Sequence, residues 1–275
     1  MAILIVTVLL GVPGNGAVIW VTGFKMKSNV PNVCFLNLAV ADLIHCLCLP
    51  LHIVVIYQLY SGYFPNFFWV FVIPIMFPNA FASIYLLCLI SIYRCLAITR
   101  PIWFRQHLNL AWVRATCFMV WVIAIVIFMP VFLSRFFSKF VLIWLVFIFG
   151  LPLVIMIICY ALVGWKLQGD RFAHSRKPIR LIVTAVAAFM ICWLPSTLYA
   201  LISNDSMLRH FDWYILTEAL ASFSSALNPL IYVFVGSDFR QVFRRSMFPS
   251  LQLTFSEYEL KGETHNRNPT SNTNV

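Results

Sequence analysis

The stretch FLNLAVADL (residues 35–43) decides the fold, because it puts the carboxylate of Asp42 in the middle of an apolar run. That run covers about residues 31–57 and holds no other Asp, Glu, Lys or Arg. About 20 consecutive apolar residues are enough for a helix to cross a bilayer. An ionisable group in the middle of such a span is costly and usually serves a function. We therefore expect a membrane-spanning helix built around a functional carboxylate.

The composition of the whole chain excludes most soluble classes of protein. Of its 275 residues, 62% are hydrophobic and 10% are charged, whereas a soluble domain has about 45–50% apolar and about 25% charged residues. A compact domain of this length has no interior large enough for so much apolar surface. The short alternating segments of a transmembrane β-barrel are not found in the sequence either. We predict an all-α membrane protein, not a soluble enzyme, a nucleic-acid-binding module or a disordered chain.

Seven apolar segments are separated by short polar gaps, which predicts a seven-transmembrane helix bundle. They cover residues 1–24, 31–57, 66–98, 111–133, 139–166, 178–203 and 211–235. The net charge is +10, and Lys and Arg concentrate in the odd-numbered gaps and after the seventh span. The positive-inside rule places these regions in the cytoplasm and the N-terminus outside. We expect a multi-pass protein of the plasma membrane.

A short amphipathic helix is predicted after the seventh span, over about residues 237–248. Phe239 and Phe243 are four residues apart, and the neighbouring Arg residues fall on other faces. Such a helix lies on an anionic membrane surface. Together with the spans it completes one membrane domain over residues 1–248. Residues 249–275 are polar and are predicted to form a disordered cytoplasmic tail.

Polar residues within the spans are the leading candidates for function. Asp42, Ser83, Ser225 and Asn228, with Asn79 nearby, could converge on one wet pocket. A proton or a Na⁺ ion would suit it, since hard cations take oxygen ligands. The alternative is a hydrogen-bonded network that only joins the helices. Both interpretations stay open, and no other cofactor is predicted.

Glu218 is a second unusual carboxylate, in the outer part of the seventh span. No Lys or Arg lies in its own span. Arg135, at the outer end of the fourth span, is a candidate partner or a second ligand contact. Alternatively, Glu218 is protonated or extends to the water outside.

Prolines at 152, 195 and 229 are predicted to interrupt the fifth, sixth and seventh spans. Each removes a backbone hydrogen bond and favours a kink or hinge. Trp193 lies just before Pro195, so a bulky ring sits at a point that can bend. The pair could act as a mechanical switch, or the ring could be a static packing element.

These residues form an ordered set that resembles the class A (rhodopsin-like) G-protein-coupled receptors over essentially the whole chain. The set consists of GNG (14–16), LAVAD (38–42), Trp121, Pro152, Tyr160, CWLP (192–195) and NPLIY (228–232). Further segments resemble the chemoattractant branch, with the component-3a type of complement anaphylatoxin receptor nearest and the component-5a and formyl-peptide types close. They are FLNLAVAD (35–42), NAFAS (79–83), RPIW (100–103), PVFLSR (130–135) and LTFSE (253–257).

The resemblance implies a receptor that senses an extracellular peptide and signals through a heterotrimeric G protein of the Gi type. The implied activation switch consists of Trp193, Pro195, Asn228, Pro229 and Tyr232. The G protein would be received by Arg94, Tyr160 and Tyr232, and arrestin could bind the tail. The implied peptide contacts are Arg135, Glu218, Trp144 and Tyr214, where Trp144 and Tyr214 replace a basic and an acidic residue of the family. Asp42, Ser83, Ser225 and Asn228 match the family's Na⁺ pocket.

The chain also departs from the family pattern. Tyr93 stands where the family has an acidic residue before Arg94, and Trp69 stands where it has a cysteine. The second outer loop is expected to be very short. These departures fit a diverged receptor, a shortened gene product or an altered chain, and they leave a non-signalling decoy as the alternative function. A retinal-binding pump is disfavoured because no Lys occurs between Lys177 and Lys261.

Overall fold

The computed structural model describes residues 1–61, 73–134, 146–167, 176–202, 211–235 and 237–247, and every regular element in these ranges is helical. The candidate ligand residues Arg135 and Trp144 and the predicted tail at 249–275 lie outside the described residues. The division into a receptor domain and a tail therefore stays a prediction.

Nine α-helices lie in the described ranges. They are α1 (Ala2–Trp20), α2 (Val30–Tyr60), α3 (Ile73–Thr99), α4 (Pro101–His107), α5 (Leu110–Ser134), α6 (Leu151–Leu167), α7 (Arg176–Ile202), α8 (Phe211–Val235) and α9 (Ser237–Met247). The seven predicted spans correspond to α1, α2, α3, α5, α6, α7 and α8. The bounds of α8 agree with the predicted seventh span, and α9 lies where an amphipathic helix is predicted. The sequence analysis did not predict α4.

Four of these helices are long and apolar enough, by length and composition, to cross a membrane. The qualifying segments are Ala2–Lys25, Val30–Gln58, Pro78–Thr99 and Leu110–Phe128. Two shorter apolar helices, Leu151–Lys166 and Val183–Tyr199, lie in α6 and α7. Large apolar side chains such as Leu9, Phe118 and Trp165 are exposed on the outside of the bundle. Such faces suit contact with lipid, because lipid chains are as apolar as the side chains themselves.

Prolines occur inside the helices without ending them. Pro195 and Pro229 lie within α7 and α8, which continue on both sides, and the kink or hinge expected at these two sites stays a prediction. Tertiary packing holds the helix where the missing N–H would weaken it. Pro152 is the second residue of α6 and follows the π-helical turn Val146–Gly150. A proline tolerates this place, because the first N–H groups of a helix have no partner within the helix.

Helix α3 lies at the centre of the bundle and packs against α2, α5, α6 and α7. Its side chains Phe81, Ile84 and Leu87 are fully buried. Helix α8 packs against α1, α2 and α7, and α9 lies against its end. Polar groups on α2, α3 and α8 are therefore brought to one place inside the bundle.

Two glycines allow α1 to come close to its neighbours. A Cβ added at Gly14 would lie 2.9 Å from Cβ of Pro229 on α8. A Cβ added at Gly11 would collide with Sγ of Cys46 on α2. Small residues are a common means of close helix packing in membranes. Nothing lies within 4 Å of a Cβ added at Gly16.

Gly14→Ala should lower the melting temperature of the protein, whereas Gly16→Ala should raise it or leave it unchanged. Replacing Gly by Ala inside a helix gains about 0.5–1 kcal/mol. At Gly14 the new methyl group must displace Pro229, and overpacking costs about 1–3 kcal/mol. Thermal melts of both variants beside the wild type check the difference. Equal stability of the two variants would contradict the close approach of α1 to α8.

Candidate functional site

The carboxylate of Asp42 is the meeting point of three helices. Nδ2 of Asn228 on α8 donates a hydrogen bond to its Oδ2 at 2.7 Å, and Oγ of Ser83 on α3 donates to its Oδ1 at 3.4 Å. The Ser225 side chain on α8 also lies close to the carboxylate. Asp42 itself is 1% exposed. The structure thus brings together the four residues that the sequence suggested for one pocket.

Asn79 lies one turn from Ser83 on α3 and is also deeply buried. Neither Nδ2 nor Oδ1 of its amide has a hydrogen-bond partner in the part of the chain that the structure describes. An unsatisfied buried polar group costs about 1–3 kcal/mol. A bound ion or water would remove that cost, and amide, hydroxyl and carboxylate oxygens are the ligands that hard cations prefer. The carboxylate and hydroxyl oxygens gathered at Asp42 are of the kind that a Na⁺ ion takes, and the ion site stays a prediction beside the network that joins the helices.

Asn15 extends the Asp42 network to α1. Its Nδ2 donates to the carbonyl oxygens of Gly11 and Ser225, both at 3.0 Å. The second bond holds α1 to α8 directly beside the Asp42 pocket. One buried amide therefore joins a fourth helix to the pocket.

Trp193 links α7 to the same region of α8. Its Nε1 donates to Oγ of Ser224 at 3.1 Å, next to Ser225 in the chain. The ring stacks on Phe189, with the two ring centres 5.5 Å apart. Oγ1 of Thr197 donates to the Trp193 carbonyl at 2.8 Å, across the turn that contains Pro195. Any movement of the indole ring must break or move its contact with α8.

Tyr232 lies at the end of α8 that meets α9, and it is 3% exposed. Its ring is 4.9 Å from that of Phe35 on α2 and 6.3 Å from that of Phe239 on α9. Phe239 in turn stacks on Phe243, with ring centres 6.0 Å apart. The Tyr232 hydroxyl has no hydrogen-bond partner within the described ranges. It is therefore available for a new contact if the helices rearrange.

The residues around Arg94 are held by hydroxyl pairs instead of an acidic neighbour. Tyr93 forms a 2.6 Å hydrogen bond with Oγ1 of Thr116 on α5. Tyr160 on α6 forms a 3.0 Å hydrogen bond with Ser91, three residues before Arg94 on α3. The sequence identified the loss of the acid at Tyr93 but did not identify Thr116, because nothing in the sequence shows which residue of α5 faces it.

A second polar group joins α7 and α8 at the end of the bundle away from α9. Oγ of Ser196 donates to Oε1 of Glu218 at 2.7 Å. The rings of Tyr199 and Tyr214 lie one turn further on, with centres 6.2 Å apart. The sequence proposed Arg135 as the partner of Glu218. That pairing stays a prediction, and the described partner is a serine.

Helix α4 presents an apolar surface that the sequence analysis did not assign. Ile102 is 73% exposed, and the neighbouring Trp103 stacks on His107 with ring centres 5.2 Å apart. The helix follows Arg94 by a few residues and packs against the end of α3. The RPIW segment could have signalled this surface, because Pro favours the first turn of a helix.

Comparisons with known proteins agree with this architecture. The family described as "7 transmembrane receptor (rhodopsin family)" matches residues 14–232. N-formyl peptide receptor 3 of Gorilla gorilla gorilla is 30% identical over 97% of this chain and 88% of the relative. N-formyl peptide receptor 2 of Homo sapiens is 32% identical over 94% of this chain and 85% of the relative, and formyl peptide receptor 2 of Mus musculus is 30% identical over the same shares.

The relatives fit the chemoattractant branch that the sequence analysis named. They are formyl peptide receptors, whereas the sequence analysis placed the component-3a anaphylatoxin receptors nearest. The family match spans the Gly14, Asp42, Trp193 and Asn228 motifs. It also implies seven membrane spans and shows that the protein is a receptor and not an enzyme. The chain belongs to the rhodopsin family of seven-transmembrane receptors.

Proposed function

We propose that this receptor senses an extracellular chemoattractant peptide and signals through a heterotrimeric G protein of the Gi type. The observation that carries the proposal is the Trp193–Ser224 hydrogen bond. It places the indole between the Glu218 end of the bundle and the Asp42 pocket. In the plasma membrane, the Glu218 end faces outside, and α9 and the tail face the cytoplasm.

The peptide enters at the Glu218 end and presses on the Trp193 ring. Arg135, Glu218, Trp144 and Tyr214 are the proposed peptide contacts. Pressure on the ring weakens the bond to Ser224, so that α7 turns about the segment that contains Pro195. Such a movement shifts α7 between two conformations, and the ligand acts through its higher affinity for one of them.

The other end of the bundle receives the G protein. Arg94, Tyr160 and Tyr232 line the opening that the movement of α7 produces, and Asn228 and Pro229 transmit the change along α8. The exposed Ile102 on α4 adds an apolar contact at the same end. Arrestin is a further proposed partner there, through the tail.

A nucleotide-exchange assay with Gi tests this function. The full chain, shown to be at the cell surface, is exposed to formylated peptides and, separately, to peptides from the C-terminus of the 3a and 5a anaphylatoxins. We expect exchange to rise with peptides of one of these classes. The formylated class follows from the relatives, and the anaphylatoxin class follows from the sequence segments. No response to any peptide at full surface expression would favour the decoy alternative. That alternative is suggested by Tyr93, which stands where the family has an acidic residue.

Trp193→Phe should raise the basal exchange rate about fivefold. The change keeps an aromatic ring but removes the N–H that bonds Ser224, and one hydrogen bond contributes about 1 kcal/mol to the state that holds it. Trp165→Phe is the matched control, because Trp165 is 75% exposed on α6. If both variants keep the wild-type basal rate, the Trp193–Ser224 bond does not hold the resting state.

Asp42→Asn should abolish stabilisation of the receptor by Na⁺. The change removes the charge at nearly constant volume, and Asn79, Ser83 and Ser225 alone cannot balance a cation. At ten times its Kd, a bound ion stabilises a protein by about 1.4 kcal/mol. Melting temperatures in NaCl and in choline chloride of equal ionic strength measure the effect. Asp212→Asn, at an exposed site early in α8, should keep the Na⁺ response, and an unchanged response in Asp42→Asn would eliminate the site.

A further inference from the structure

We propose that Ser196, Tyr199, Tyr214 and Glu218 form a subsite for a cationic group of the ligand, an ammonium or a guanidinium. We call these four residues the Glu218 subsite. The inference rests on the proposed function as a peptide receptor and deepens it by naming the chemistry of one ligand group.

The four side chains lie on facing sides of α7 and α8. Ser196 and Tyr199 are three residues apart on α7, and Tyr214 and Glu218 are four residues apart on α8. Residues at these spacings share a helix face. Two contacts join the faces, the 2.7 Å hydrogen bond from Ser196 to Glu218 and the ring contact between Tyr199 and Tyr214. The subsite therefore has one carboxylate at its base and two aromatic rings one turn further towards the end of the bundle.

Neither α8 nor the neighbouring stretch of α7 provides a Lys or Arg to balance a negative charge on Glu218. Residues 183–202 of α7 and all of α8 contain no Lys or Arg. The partner found among the described residues is a neutral hydroxyl, which uses one of about four acceptor positions on the carboxylate. A carboxylate in apolar surroundings is costly unless it is paired. A ligand cation removes that cost.

Glu218 keeps part of its side chain exposed, as a group that meets a ligand must. It is half-buried, unlike Asp42, and it lies in α8 about 20 Å from Tyr232 at the α9 end. Access and charge together separate this carboxylate from the closed Asp42 pocket. The two acids therefore serve different partners, an ion inside the bundle and a ligand group at its end.

The two tyrosines favour the same chemistry as the carboxylate. Aromatic rings attract cations to their faces, with about 0.5–2 kcal/mol for each favourable contact. An aromatic pair beside a carboxylate accepts an ammonium or a guanidinium better than a neutral amide. The Glu218 subsite should therefore discriminate between charged and blocked amines.

The subsite is connected to Trp193 through α7. Ser196 follows Trp193 by three residues, and Thr197 bonds the Trp193 carbonyl. A cation that takes over the carboxylate of Glu218 competes with Ser196 for it. Binding therefore changes a contact between α7 and α8 within one turn of the indole ring.

Binding of a small probe tests the subsite without a G protein. The probe is phenethylammonium, and 2-phenylethanol is its neutral counterpart. Affinities for the purified receptor in lipid nanodiscs are measured by ligand-observed NMR. The ammonium should bind the wild type at least about tenfold more tightly than the alcohol. Glu218→Gln should reduce its affinity to that of the alcohol, and Glu218→Asp should restore part of the difference.

Two further variants separate the charge from a general change in structure. Thr217→Val, next to Glu218, removes a hydroxyl that bonds the Tyr214 carbonyl, and it should leave the preference for the ammonium intact. Ser196→Ala keeps the charge and removes the hydroxyl that competes with the cation for the carboxylate, so the ammonium affinity should rise. A loss of ammonium affinity in Ser196→Ala would overturn the proposal. This result can be obtained even if Glu218→Gln fails to fold.

Three peptides identify the source of the cation. They are Phe-Leu-Phe amide with a free N-terminus, its acetylated form, and acetyl-Lys-Leu-Phe amide. Glu218-dependent binding of the first peptide indicates a terminal amine, and Glu218-dependent binding of the third indicates a basic side chain.

Equal binding of the ammonium by wild type and Glu218→Gln would overturn the proposal. Ammonium binding that occurs only after Arg135→Ala would also overturn it, because Glu218 would then be neutralised within the chain. Neither result determines the outcome of the nucleotide-exchange assay, so the subsite and the proposed function are tested separately.

Discussion

The carboxylate of Asp42 holds α2, α3 and α8 together, and the other central contacts are arranged around it. Asn228 and Ser83 donate to its two oxygens. Asn15 bonds the Ser225 carbonyl beside it, and this bond adds α1 to the assembly. A buried carboxylate costs several kcal/mol unless it is hydrogen-bonded and paired. The helices α2, α3 and α8 must therefore keep one register relative to each other, because a shift of α3 or α8 would remove one of the donors to the acid.

The same constraint makes the centre of the bundle responsive. Ser224 and Ser225 are neighbours on α8, and one contacts Trp193 while the other contacts Asp42. A movement of the indole and a change at the Asp42 carboxylate therefore act on the same turn of α8. The buried amide of Asn79 on α3 has no hydrogen-bond partner among the described residues. Ligand binding at one end and G-protein binding at the other would be coupled through this turn.

Departures from the family pattern are compensated locally. Tyr93 replaces an acid, and its hydroxyl bonds Thr116, so α3 remains held to α5 at this place. At the opposite end of the bundle, the hydroxyl of Ser196 bonds Glu218. The first contact holds α3 to α5 beside Arg94, and the second holds α7 to α8 at the Glu218 end.

The sequence by itself determined the spans, the internal polar residues and the helix after the seventh span. Hydropathy and the cost of a buried charge are local properties, so FLNLAVADL and the Phe239–Phe243 pair could be interpreted without a fold. Only the tertiary structure decided which side chains meet, because contacts between helices depend on rotation and register, which sequence spacing does not encode. Ser196 as the partner of Glu218, Thr116 as the partner of Tyr93 and the close approach of Gly14 to Pro229 are of this kind. Helix α4 was missed because its seven residues are too few to show a clear period.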